Sequence, residues 1–134
     1  MKTKMQTSVI KKTLLLALML VTGSAWAEWI SVGSSDTVAT YIDPATIRKD
    51  GNLRKVWTIQ DLKQRSPRGD MSRRARNEYD CKSERYRVLA LSTHSEPMTS
   101  GNTLTNYDLE NSAAWLQIPP GSPSEIVLKI VCAK

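Results

Sequence analysis

Six cations, Lys63, Arg65, Arg68, Arg73, Arg74 and Arg76, fall within fourteen residues that hold a single acid, Asp70. Arginine donates paired hydrogen bonds that match carboxylate, sulfate and phosphate oxygens. A cluster of like charges also draws in polyanions over a screening length of about 10 Å at 0.1 M salt. The chemistry on offer is capture, not conversion: sulfated glycans, lipid phosphates or acidic protein segments. The plainer outcome for the same residues is a solvated connection whose flexibility spreads the charges. Inside the run stands Arg68-Gly69-Asp70, the tripeptide many integrins recognise. There the Asp carboxylate meets a receptor metal ion, the Arg enters an acidic cleft, and the Gly permits the bend between them. Ser66-Pro67-Arg68-Gly69 equally fits an ordinary type I turn, with Pro second and Gly fourth.

Catalysis is hard to assemble from the remaining residues. His94 is the sole histidine, and no Ser, His and acid fall at a recognisable spacing. The two cysteines, Cys81 and Cys132, cannot supply a four-ligand zinc site. They are also too far apart for a C-x-x-C redox pair, and no Cys-x-x-Cys-His appears for covalent haem. The residues therefore predict no enzyme, no metal site and no cofactor. Tyr79, Trp57 and Trp115 read as core aromatics, and His94 as the end of a strand.

The compartment decides what the cysteines do. Lys2, Lys4, Lys11 and Lys12 form a basic n-region, Leu14 to Val21 an apolar stretch too short to span a bilayer, and Ala25-Trp26-Ala27 a small-residue cleavage site. Residues 1–27 are thus expected to be an export signal and residues 28–134 one domain, periplasmic or secreted. No cysteine near the cleavage site is placed to carry a lipid anchor, and no later segment is long and apolar enough to span a membrane. The formal charge of +6 includes four leader lysines and no leader acid, so the mature domain keeps 15 of 19 cations against 13 acids. That near balance, with export, argues against nucleic acid as a partner. An oxidising destination predicts a Cys81–Cys132 disulfide, which on the loop-entropy model is worth about 4 kcal/mol.

These groups must be positioned by a small β-rich fold. Residues 29–32 and 38–42 read as a strand pair, with Asp43-Pro44 ending the second strand. Asp50-Gly51 marks a hairpin into residues 53–61, where Leu53, Trp57 and Ile59 share one face. Residues 78–95 make the longest strand candidate, residues 103–110 are polar and poorly periodic, and residues 115–118 suit a short last strand. Near the C-terminus Ser122-Pro123-Ser124-Glu125 places Ser at N-cap, Pro at N1 and Glu at N3, so a helix is predicted from Pro123 despite the β-branched run after it. The expected class is α+β: an antiparallel sheet with a C-terminal helix tethered to one face by the disulfide.

Val56-Trp57, Ser72, Glu78-Tyr79-Asp80-Cys81, Arg85, Met98 with Gly101, Trp115, Pro119-Pro120-Gly121-Ser122 and Cys132 resemble the surface-adhesin protein E family of Gram-negative bacteria. Glu-Tyr-Asp-Cys followed by a terminal Cys is the specific part. The resemblance implies an antiparallel sheet with the helix bound to its concave side. It also implies binding to host matrix or plasma proteins such as vitronectin, laminin and plasminogen, with haem binding and a homodimer. Under it His94 becomes an iron-ligand candidate. Two readings of function follow: an exported adhesin-type binding module, whose basic segment with Asp70 takes host proteins or anionic glycans, and a periplasmic accessory or structural domain without a host ligand.

Overall fold

Two-residue alternation divides every strand here between two environments, and the cross-strand register shows which is which. The computed structural model describes residues 27–133. Apart from Ala27, the expected export signal lies outside them. Seven strands, β1 (Ile30–Ser34), β2 (Val38–Asp50), β3 (Leu53–Leu62), β4 (Ser72–Asp80), β5 (Arg85–His94), β6 (Thr103–Asp108) and β7 (Leu116–Gln117), form one antiparallel sheet, followed by helix α1 (Pro123–Cys132). Strands β1 to β6 lie in chain order, and β7 pairs with the start of β5 while β6 pairs with its end. This is the expected α+β class, including the bond that joins Cys81 to Cys132.

The helix face carries Val56, Asn77 and Val88 in one cross-strand row and Arg54, Tyr79 and Tyr86 in the next. Val127, Leu128 and Val131 of α1 pack on Ile42, Val56 and Tyr79 to make the core. On β3 the helix lies on the Val56 side, whereas Leu53, Trp57 and Ile59 face away from it; Ile59 is nonetheless fully buried and Trp57 half-buried. Burial pushes the Tyr79 hydroxyl up to about 12 against the opposing hydrogen bond from Asn77. Gly33 lets α1 approach β1, because a Cβ there would stand 3.2 Å from Ile126 Cδ1. The N-cap is as predicted, Ser122 Oγ accepting from the Glu125 N–H at 3.4 Å. Glu125 reaches one residue further back than a capping box requires and accepts from the Gly121 N–H at 2.8 Å.

Three other expectations change. Pro44 does not end β2. Its missing N–H falls in a bulge between Asp43 and Arg48, where the Thr46 hydroxyl donates to Asp43 O at 2.7 Å and accepts from the Trp57 N–H at 3.0 Å, restoring the interrupted ladder. Residues 78–95 are not one strand, because Asp80 Oδ1 accepts from the N–H groups of Lys82 and Ser83, both at 3.1 Å, and so folds a turn that delivers Cys81 to the helix. The basic segment is not all loop either. Strand β4 begins at Ser72, so Arg73, Arg74 and Arg76 sit on a strand and alternate between its faces.

Candidate binding surface of the open face

Strand alternation splits the six predicted cations. Lys63, Arg65 and Arg68 occupy the β3–β4 loop, Arg73 points to the helix face, and Arg74 and Arg76 project from the opposite, open face. Among these, Arg65 is committed within the fold. Its Nη1 donates to Ser95 O at 2.6 Å and to Gly69 O at 2.9 Å, and Nη2 lies 3.5 Å from Glu96. Arg73 is committed as well, its Nε donating to Asp70 Oδ2 at 2.8 Å. For Lys63, Arg68, Arg74 and Arg76 there is no ion pair among the described residues.

Asp70 decides the fate of the Arg-Gly-Asp tripeptide. The expected turn forms, with the Gly69 N–H bonded to Ser66 O at 2.9 Å. Its acid points inward: Asp70 is only 2% exposed, accepting from the Ser66 hydroxyl at Oδ1 and from Arg73 at Oδ2. Burial alone would raise this carboxyl, but the Ser66 and Arg73 hydrogen bonds and the Arg73 charge outweigh it and hold it below the usual carboxylate range. A carboxylate so engaged is not presented to a receptor metal ion.

The open face is built differently. Arg74 lies over Trp57 with its guanidinium carbon 4.2 Å from the ring centroid, and Arg76 stands directly opposite Trp57 in the register. The carboxylates in the cross-strand row of Arg76 are Asp43 and Asp108, each two strands away, or about 10 Å. A neighbouring cluster is closed on itself. Arg85 and Arg87 each stack at 4.5 Å on Trp115 while donating to Asp80 at 3.2 Å and to Glu78 at 2.7 Å. Trp57 and Trp115 are thus not core aromatics as the sequence suggests. Arginine stems and guanidinium faces cover them in place of apolar side chains.

His94 ends β5 as predicted, and it is 8% exposed. Its Nε2 lies 2.9 Å from Ser92 Oγ and its Nδ1 3.5 Å from Thr103 Oγ1. With both ring nitrogens facing hydroxyls, this imidazole does not fit a haem-iron ligand. Burial, and then the Arg74 charge, lower its pKa. Ser72, singled out in the sequence only as part of the family resemblance and given no role there, is fully buried, donates to Glu96 O at 2.6 Å and accepts from the Thr99 N–H at 2.9 Å. Together with Asp61, which accepts from the Met98 N–H at 2.7 Å, it fastens the β5–β6 turn to the sheet. A serine opening a polar strand carries no sequence signal for that role.

The chain is thus a disulfide-clasped antiparallel meander whose helix packs on one face, with Arg74 and Arg76 set about Trp57 on the other. The profile of the surface-adhesin protein E family matches residues 29–133, and the chain belongs to that family. Crystal form II of Haemophilus influenzae protein E is similar in fold, with a TM-score of 0.57 at 15% identity over 82% of this chain and 91% of that one. Protein E from non-typeable Haemophilus influenzae gives 0.52 at 17% identity, over 84% of this chain and 79% of that one. No curated protein sequence matches it.

Proposed function

We propose that this protein is an exported adhesin-type binding module that takes anionic partners, the sulfated glycans and acidic segments of host matrix or plasma proteins, on its open face. The observation that carries the reading is the pair Arg74 and Arg76 flanking Trp57, stacked or aligned on a rigid central strand without an acidic partner among the described residues. A cation already held over an aromatic ring loses less freedom on binding than a loop lysine, and its outward N–H edge stays free for a sulfate or carboxylate. Salt weakens such binding, as the screening length falls from about 10 Å at 0.1 M to about 3 Å at 1 M.

Trp57 supplies an internal reporter. Titration with heparin should shift its emission in the wild type and leave it unchanged in R74E/R76E, with the W57F variant assigning the signal. An unchanged spectrum in the wild type at low salt would instead favour the periplasmic structural role. Protease shaving of intact cells, compared with osmotic release of the periplasm, tests the exported, surface-reaching part of the proposal separately.

A further inference from the structure

A concavity of about 280 Å³ opens on the helix face beyond the reach of α1, where the 66–70 turn overhangs β5 and β6. That volume suits an organic group the size of one aromatic side chain and not a drug-sized ligand. Its apolar surfaces come from Pro67, Leu91, Leu104 and Tyr107, the last two 44% and 50% exposed. Arg68 and Arg73 supply positive charge. Arg73 has one edge fixed by the buried Asp70, and no further hydrogen bond of its guanidinium is present among the described residues. The lining thus holds two cations and one buried acid, a surplus of one positive charge beside an apolar wall.

We propose that this cleft binds a small monocarboxylate with an apolar body, its carboxylate held by Arg68 and the free edge of Arg73 and its body laid on Leu91, Leu104 and Tyr107. The Arg-Gly-Asp segment then has a use within the fold. Asp70 is the buried positioning residue that aims Arg73, and Arg68 is the anion contact. A guanidinium pre-aimed by a buried partner gives up little freedom on binding, and its planar edge matches a carboxylate bidentately. The apolar wall selects against inorganic anions, which gain nothing from it.

The test uses 3-phenylpropionate as probe and its neutral isostere 3-phenylpropionamide, with amide chemical shifts followed on the whole domain. The carboxylate should perturb Leu91, Thr105 and Tyr107, and the amide should bind at least about tenfold more weakly. Arg68→Gln, which breaks no ion pair among the described residues, should weaken the acid by a similar factor and leave the amide unaffected. Leu104→Ser should weaken both, because it removes wall and not charge. Equal binding of acid and amide, unchanged affinity in Arg68→Gln, or shifts confined to residues outside the cleft each overturn the proposal.

Discussion

Asp70 shows how far a short motif can mislead when its side-chain direction is unknown. Residue types and spacing correctly predicted the turn at Ser66-Pro67-Arg68-Gly69, since Pro and Gly fix backbone angles locally. Burial of the Asp70 carboxylate depends instead on Arg73 arriving from a strand that the sequence hides among charged residues. Asp70→Asn leaves Arg73 without its counter-charge and should cost about 1–3 kcal/mol in denaturant unfolding. Because the folded carboxyl lies below its unfolded value near 3.9, its stabilisation is present above that pH and is lost as pH falls through the lower folded value. The gap between wild type and Asp70→Asn should accordingly close in acid. His94 contributes in the same direction at higher pH: its lowered folded pKa means the unfolded state takes up the proton first, so stability should decline on acidification below about 6.5, and less steeply in His94→Gln.

Among the elements, those with local signatures were legible. The Asp50-Gly51 hairpin forms, with Gly51 at φ 56°, and α1 starts at Pro123 behind its Ser122 cap. Ser122→Ala should cost about 1 kcal/mol, read as a lowered denaturant midpoint. What escaped the sequence were features closed by distant partners. Thr46 carries β2 past Pro44 only because the Trp57 N–H waits opposite, and β6 is a strand because β5 pairs with it despite its polar composition. The turn at Asp80 explains why the longest apparent strand is really two, and it sets Cys81 against the end of α1. Reducing the disulfide should lower stability by up to about 4 kcal/mol and loosen α1 before the strands. Alkylation of both cysteines without reductant would contradict that role. Gly101→Ala should destabilise the β5–β6 turn, since a Cβ there meets Glu96 Cγ at 2.7 Å and Gly101 itself holds φ 74°.

For the molecule as a whole, the two faces of the sheet are built from different chemistry. The helix covers the Val56 and Tyr79 side, and the open side keeps its arginines, two of them locked with Trp115 against acids and two unpaired beside Trp57. Composition revealed the basic segment but not its division, because alternation across β4 becomes visible only once the strand is known to begin at Ser72. The exported protein should start at Glu28, and intact mass will report it. Heparin-column elution with matched charge changes puts the binding face to the most direct test: R74E/R76E against R48E/K49E, a pair of the same charge at the β2–β3 hairpin. Far-UV spectra will confirm that both variants fold. The open-face reversal should pass through at low salt, while R48E/K49E should elute close to the wild type. Equal displacement of the two variants would mean that net charge, and not the surface around Trp57, governs retention.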